Sequence, residues 1–138
     1  MNELFDICSE QNPKPADQRK RLLAALKQGA DIHAADKNGV TALHHAVRFR
    51  SAAAVKMLVE NGADVNRACK RNGSTALHRA VTQTGAPGTA GKSDAAKEIV
   101  RILLDAGTDP SIANKSGRRP IDYVADPSVA EMLRTSIS

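Results

Sequence analysis

Two series of glycines recur along this 138-residue chain and constrain its fold more than any other feature. One series follows helical stretches, at Gly29, Gly62 and Gly107, and the other precedes them, at Gly39, Gly73 and Gly117. Successive members lie 33 and 45 residues apart in the first series, and 34 and 44 in the second. A constant period of about 20 to 50 residues is the signature of stacked structural repeats. We therefore expect units of about 33 residues, with an insertion in the third.

Each unit carries the signals of two helices. Thr41 and Thr75 stand where a helix begins, because a threonine hydroxyl accepts a hydrogen bond from a free amide two or three residues on. Gly62 and Gly107 stand where a helix ends, in a left-handed conformation that costs a residue with a Cβ about 1 to 2 kcal/mol. Apolar residues between these points recur at spacings of three and four, so each helix is expected to bury one stripe.

The segments Thr41–His44 and Thr75–His78 both read Thr-Ala-Leu-His, and a Gly-x-Asp segment follows them 21 and 32 residues later. These paired motifs resemble the ankyrin repeat family, with Ala in place of the family's Pro. The resemblance covers essentially the whole chain and implies an all-α solenoid of stacked helix-turn-helix units, joined by short β-hairpin-like loops. It also implies that each His imidazole joins the capping threonine to the adjacent loop. The residues given structural roles in this way or at helix ends are Thr41, His44, Gly62, Thr75, His78 and Gly107.

The resemblance divides the chain into about four repeats, of which the outer two depart from the pattern. End units of a stack depart because each has only one neighbour to cover it. The predicted units are an N-terminal capping unit (1–35), a second repeat (36–68), a third repeat (69–113) with an inserted loop (84–94), and a C-terminal capping unit (114–138). We expect them to form one complete domain over 1–138.

Composition argues against several classes of protein. The net charge of +5 favours acidic partners, while two Phe, one Tyr and no Trp offer few rings for stacking nucleic-acid bases. No apolar stretch approaches the roughly 20 residues that span a bilayer, and the acidic start lacks the pattern of a signal peptide. Cys8 and Cys69 are too few for a disulfide framework, so a cytoplasmic setting is expected. A nuclear location or delivery into a host cell stays open.

The inserted loop contains a motif that belongs to another class of protein. Ala86–Ser93 matches the relaxed phosphate-loop pattern, which ends in Gly-Lys-Ser. That mechanism requires a buried β-strand before the loop, and here the helix-periodic segment 75–81 precedes it. We therefore predict no enzyme activity, no catalytic residue and no cofactor. Nucleotide or anion binding at this loop is kept as an alternative.

Several other polar residues have competing interpretations. No pair among His33, His44, His45 and Cys69 has the spacing of zinc ligands, so no metal is predicted. Cys69, expected to be exposed at a hairpin tip, is either an ordinary thiol or one whose pKa nearby cations lower. Asn66 either braces its turn, which is the favoured interpretation, or is a hydroxylation site, because its surroundings resemble those modified in animal ankyrin proteins.

In the family that the chain resembles, the hairpin tips and the exposed side of each first helix form a concave surface that holds partner proteins. Carried over position by position, the predicted partner-binding residues are Lys37, Val40, His45, Arg48, Phe49, Arg71, Ser74, Arg79, Thr82, Lys115, Arg118 and Tyr123. Six of these are Lys or Arg and none is acidic, so we expect a basic groove with Phe49 and Tyr123 as anchors. The alternative is that these cations merely solvate a helical surface.

The sequence therefore predicts a non-catalytic, monomeric module that binds an acidic protein or peptide, with no nucleic-acid or membrane partner. A delivered effector or a small cytoplasmic inhibitor with the same fold is the alternative.

Overall fold

A computed structural model describes residues 3–8, 14–82, 93–124 and 127–137. Its helices are α1 (Glu3–Cys8), α2 (Pro15–Lys27), α3 (Ala42–Arg48), α4 (Ala52–Glu60), α5 (Ala76–Thr82), α6 (Ser93–Asp105) and α7 (Pro127–Ile137), with a 3-10 helix at Pro120–Tyr123. Within these ranges there is no β-strand, and Ala35 and Thr41 form an isolated antiparallel bridge. The all-helical fold class predicted from the sequence is confirmed. None of these helices is long and apolar enough to cross a membrane.

The helices pack in two layers. The first-helix layer consists of α1, α3, α5 and the 3-10 helix, in which each element contacts the next. The second-helix layer consists of α2, α4, α6 and α7, which also contact one another in order. The pairs α1 and α2, α3 and α4, and α5 and α6 join the two layers. Each helix pair therefore buries its apolar faces against the neighbouring pairs, as in a solenoid.

The core between these layers is aliphatic and continuous. One cluster of buried side chains runs from Leu4 in α1 to Leu133 in α7. The stripe expected in α4 is present, since Val55 and Leu58 are fully buried and Val59 is partly buried against the cluster. With so few aromatic residues in the chain, close packing depends on Leu, Val, Ile and Ala.

The helix ends follow the backbone chemistry of their residues. α2 begins at Pro15, because the fixed φ of proline suits the first turn of a helix. Gly62 follows α4 with φ +94° and Gly107 follows α6 with φ +89°, so both adopt the left-handed conformation that the sequence predicts. α6 begins at Ser93, so the last two positions of the predicted insertion, 93–94, are helical.

The remaining positions of the predicted insertion, 84–92, lie outside the described residues. The phosphate-loop resemblance at Ala86–Ser93 falls almost wholly there, and it stays a prediction.

Replacing Leu58 with Ala is expected to lower the free energy of unfolding by about 2 to 5 kcal/mol, because it leaves a cavity where α4 meets α2, α3 and α6. Urea denaturation followed by circular dichroism measures this change. The control is Lys56→Ala, which alters an exposed side chain of the same helix and should change stability by less than about 0.5 kcal/mol. Equal stability of the two variants would show that the buried stripe of α4 is misassigned.

Candidate interaction surface

Three hairpins, at 36–40, 69–74 and 114–118, stand side by side and form the hairpin row. The Lys70 amide donates to the Asn38 carbonyl at 2.7 Å, and the Lys115 amide donates to the Asn72 carbonyl at 2.9 Å. The ammonium of Lys115 also donates to the Lys70 carbonyl. Backbone hydrogen bonds therefore hold each hairpin against the next.

The first and third hairpins close by the same side-chain chemistry. Asp36 Oδ1 accepts hydrogen bonds from the Asn38 and Val40 amides, at 2.8 and 3.1 Å. Asn114 Oδ1 accepts the equivalent bonds from the amides at 116 and 118, at 2.9 and 3.1 Å. Short polar side chains that accept amides two residues on are standard turn formers. The shape of both tips is thus fixed locally.

The second hairpin is one residue longer and closes differently. The Cys69 amide donates to the Ser74 carbonyl, while Asn72 Oδ1 accepts both the Ser74 amide and the Cys69 thiol, at 3.0 and 2.9 Å. Only 2% of Cys69 and 8% of Ser74 are exposed. The expectations of an exposed thiol at Cys69 and an exposed contact residue at Ser74 are therefore wrong. Their hydrogen bonds to Asn72 hold both residues beneath the tip.

Each Thr-Ala-Leu-His segment caps its own helix. The His44 ring nitrogen Nδ1 accepts the Thr41 amide at 3.1 Å, and the Thr41 hydroxyl lies 3.5 Å from the His44 amide. Thr75 and His78 repeat this arrangement at 3.1 and 3.4 Å. The other nitrogen of His78 lies 2.9 Å from the Arg118 carbonyl, so this imidazole joins its helix to the following hairpin. The capping role given by the family resemblance matches this geometry.

The aromatic residues lie beside cations or imidazoles. The Phe5 and His45 rings are 5.0 Å apart between centroids, and the Arg48 guanidinium lies 5.8 Å from the Phe49 ring centre. In the last unit the Arg118 guanidinium lies 5.8 Å from the ring centre of Tyr123. The Tyr123 hydroxyl accepts a hydrogen bond from the Asn114 side chain at 2.8 Å, and its ring meets His78 edge-on at 6.2 Å. Each of the three rings thus lies next to an imidazole or a guanidinium.

The predicted partner-binding residues differ in exposure. Five are exposed, namely Lys37, Arg48, Arg71, Lys115 and Arg118. Five are half-buried, namely Val40, His45, Phe49, Arg79 and Tyr123. Ser74 is buried, and the side chain of Thr82 lies outside the described residues. Within the predicted partner-binding set, the exposed positive charge is therefore on the hairpin row and at the end of α3.

An acidic residue absent from the predicted set lies beneath this face. Burial raises the pKa of the Asp36 carboxyl. Hydrogen bonds from two hairpin amides and the charges of His45 and Arg79 lower this pKa by more, so the net pKa is below the usual value. Burial lowers the pKa of His45, and although Asp36 opposes this, the charges of Arg79 and Arg48 add to it. Asp36 therefore offsets part of the positive charge at this surface.

Arg79 also reaches the second hairpin. Burial raises the pKa of the Cys69 thiol, but the hairpin amides and a hydrogen bond from the Arg79 side chain lower the pKa by more. The net effect is a thiol with a lowered pKa inside the hairpin and not on its surface. Arg79 is therefore a structural contact of this hairpin as well as a half-exposed cation.

Asn66 braces the turn after α4 against the turn after α6. Its side-chain oxygen accepts the Asp109 amide at 2.6 Å and the Thr108 hydroxyl at 3.2 Å. Its own amide donates to Asp64 at 2.9 Å. These contacts are those that the bracing interpretation predicts, and the hydroxylation alternative stays a prediction.

Sequence reasoning missed four contributors to this surface. Asp36 and Asn114 each lie three residues before a hairpin glycine, a turn signal that was available in the sequence. Phe5 comes from the atypical first unit, where no repeat motif marks it. Arg67 donates to the His33 carbonyl at 2.8 Å, a contact across 34 residues that no local pattern indicates. Among the described residues, no group of three His, Cys, Asp or Glu residues is placed to hold a metal ion.

Comparison with known proteins identifies a family. The family model for ankyrin repeats, in three copies, matches residues 12–114. Ankyrin repeat and SOCS box protein 6 from Homo sapiens is 34% identical over 119 residues, which cover 78% of this chain and 27% of that protein. Protein phosphatase 1 regulatory subunit 27 from Mus musculus is 33% identical over 119 residues, which cover 85% of this chain and 66% of that protein. The chain thus spans less than two thirds of either relative.

A solved structure has the same fold. The ankyrin repeat domain of Bcl-3, a member of the IkappaB protein family, superposes with a TM-score of 0.72 at 31% sequence identity. The similarity covers 86% of this chain and 47% of that one.

Gly39→Ala is expected to destabilise the fold more than Gly62→Ala, although both glycines have positive φ. A Cβ at residue 39 would lie 2.8 Å from the Lys70 amide nitrogen, whereas a Cβ at residue 62 meets nothing within 4 Å. Gly62→Ala should therefore cost about 1 to 2 kcal/mol from backbone conformation alone, and Gly39→Ala should cost more. Thermal denaturation of the two variants compares these costs directly. Equal costs would mean that the hairpins are not held in contact.

Acid is expected to destabilise the protein through His44. Burial, reinforced by the charge of Arg79, lowers the pKa of His44 from 6.5 to about 4, so the unfolded chain takes up a proton that the folded chain excludes. The free energy of unfolding should therefore fall by about 3 kcal/mol as the pH drops from about 6.5 to about 4. Urea denaturation at several pH values measures this loss.

The variant His44→Gln should flatten this pH dependence, leaving the smaller effect of His45, whose pKa is lowered in the same direction. His33→Gln changes an exposed imidazole and is the control. If both variants keep the full pH dependence, His44 is not the group responsible.

Proposed function

The chain belongs to the ankyrin repeat family, and we propose that it is a non-catalytic module that binds an acidic surface of a protein or peptide. Ankyrin repeats are generally protein–protein interaction modules. In this chain the proposed contact surface is the basic face, defined as the hairpin row together with the exposed side of α3, α5 and the 3-10 helix.

Preorganisation supports binding at the basic face. Each hairpin is closed by its own side-chain hydrogen bonds and is held to its neighbour by a backbone bond. A surface that is already ordered loses little conformational freedom when a partner docks. The binding free energy is then available for contacts and is not consumed in ordering loops.

Charge supports an acidic partner. Lys37, Arg71, Lys115 and Arg118 are exposed on the hairpin row, and Arg48 is exposed at the end of α3. On the hairpin row the carboxylate is Asp36, which is half-buried and engaged with hairpin amides, and on the 3-10 helix Asp122 is exposed and accepts the Arg119 amide. Such a surface steers an acidic partner and disfavours a basic one.

The position of the aromatic residues carries the proposal. The chain has two Phe, one Tyr and no Trp, and all three rings are half-buried at the first-helix layer, none of them in the fully buried core. Phe49 and Tyr123 each lie beside an arginine, and Phe5 lies beside His45. Aromatic residues and arginine dominate the energetic centres of protein interfaces. Because all three aromatic side chains lie at the first-helix layer, this layer is suited to anchoring a partner.

Similarity to a named regulatory subunit of protein phosphatase 1 supports a regulatory role. In that role the chain would act by occupying a partner's surface, as a small inhibitor or an effector does. Cys8 and Cys69 are both buried thiols that are not joined in a disulfide, in keeping with an intracellular setting.

Reversing two exposed charges, with Arg48→Glu and Arg118→Glu in one chain, is expected to weaken binding of an acidic peptide by more than about tenfold. Peptides are first selected from a random library on the immobilised wild-type protein, and affinities are then measured by fluorescence anisotropy. Arg79 is left intact because it contacts Cys69, so the variant should keep its melting temperature.

The matched control carries Lys56→Glu and Arg101→Glu, which make the same change in net charge on exposed positions of the second-helix layer. This control should bind the selected peptides almost as the wild type does. An equal loss of peptide affinity in both variants would show that the effect comes from the net charge of the protein and not from the basic face. Selection of peptides without acidic residues would contradict the proposal directly.

A further inference from the structure

The N-terminus of α4 lies in a recess between the two neighbouring helices. α4 has nine residues while α2 and α6 have thirteen, and all three end two residues before a glycine of the same series. Because α2 and α6 both pack against α4, they extend about one turn, roughly 6 Å, beyond its start. Within the described ranges, the first-turn amides of α4 therefore lie about one turn below the first residues of α2 and α6.

Polar groups at this start lack hydrogen-bond partners. Ser51 is the N-cap residue of α4, yet its side chain makes no cap hydrogen bond. Only 7% of Ser51 is exposed, and within the described part of the chain neither its buried Oγ nor the buried Nε of Arg50 has a partner. The first backbone bond of the helix runs from the Val55 amide to the Ser51 carbonyl at 2.9 Å, so the amides at 52–54 precede it. Buried donors without acceptors are unfavourable until a ligand supplies them.

Arg50 occupies a backbone conformation that favours glycine. Its φ is +57°, and among the described residues it is the one non-glycine residue with positive φ. Its amide donates to the Val47 carbonyl at 3.0 Å as α3 ends. Glycines fill the corresponding positions after α4 and α6. An arginine at a strained position is evidence that its side chain is used.

We infer that this recess, formed by Arg50, Ser51 and the first-turn amides of α4, binds a phosphoryl dianion. A helix N-terminus carries about half a positive charge and presents free amides to an anion. Arg50 adds a guanidinium, Ser51 adds a hydroxyl, and the first turn of α4 has no acidic residue. Together these groups offer more hydrogen-bond donors than one carboxylate can accept. Their combined positive charge matches a tetrahedral dianion.

Charged residues of both signs lie around the recess. Arg48 is exposed just before the turn, and Arg19 of α2 and Lys97 of α6 stand at the level of residue 52 by repeat register. Asp17 of α2 and Asp94 and Glu98 of α6 are the acidic residues on the flanking helices near this level, and of these Asp17 and Glu98 are exposed to solvent. The recess lies at the end of α3 remote from the hairpins. Its own donors come from Arg50, Ser51 and the first turn of α4, which are not part of the basic face, whereas Arg48 belongs to the basic face and lies next to the recess.

The test uses inorganic phosphate as the probe and the full chain labelled with ¹⁵N. Phosphate is titrated at constant ionic strength, with sodium chloride as the balancing salt, and amide chemical shifts are recorded. Saturable shifts centred on the amides at 51–54 are expected. No shift in this segment, or equal shifts at every exposed Lys and Arg, would overturn the proposal.

Two variants separate binding from folding. Arg50→Gly removes the guanidinium and relieves the positive φ, so it should raise the melting temperature without phosphate while weakening phosphate binding about tenfold or more. Ser51→Ala removes a hydroxyl that makes no cap bond, so it should weaken binding with little change in melting temperature. Arg101→Ala, which deletes an exposed arginine from the second-helix layer, is the control and should bind phosphate like the wild type. Unchanged phosphate affinity in Arg50→Gly would overturn the proposal.

A second titration with O-phosphoserine, against serine as its control, distinguishes the source of the phosphoryl group. Tighter binding of O-phosphoserine than of inorganic phosphate, with the same amides shifted, supports a phosphorylated side chain as the ligand. Tighter binding of inorganic phosphate supports the free ion. Binding of serine with equal affinity would show that the recess does not recognise phosphate and would overturn the proposal.

Discussion

One backbone hydrogen bond at each junction sets the spacing of the hairpin row. The bonds from Lys70 to Asn38 and from Lys115 to Asn72 bring neighbouring hairpins so close that a Cβ on Gly39 or Gly73 would meet the next backbone. Because a solenoid unit contacts only its neighbours, these junctions propagate along the stack. The spacing of the exposed cations on the basic face follows from the same bonds. Positions of the cations are therefore a property of the stack and not of any single unit.

The buried polar residues beneath the basic face decide which cations are available. Arg79 is shared between Asp36 and the Cys69 thiol, so it stabilises the hairpins from within. Arg48 and Arg118 are exposed and lie against aromatic rings. Arginine stacked on a ring keeps its charge in water while its plane is held in place. The electrostatic character of the face therefore depends on burial as much as on net charge.

The first-helix layer presents two different chemistries at its two ends. Its hairpin end displays lysine and arginine on rigid turns, whereas its other end holds the recessed start of α4 behind Arg50 and Ser51. The seven-residue helix α3, which ends at Arg48, separates the two regions, and its length is about 10 Å. The two regions are therefore close enough for one extended ligand to cross, yet they are built from separate residues.

The sequence alone determined the repeat, the two helices of each unit and the capping pairs such as Thr75 and His78, because these depend on contacts within a few residues. It also indicated the positions of most cations of the basic face, because equivalent positions of successive repeats lie on the same side of the stack. Only the tertiary structure decided that Ser74 and Cys69 are buried, and that Asp36 lies under the cations. It alone showed that α4 starts a turn short between longer neighbours. These features depend on contacts between units, and a local pattern contains no information about which distant atoms will meet.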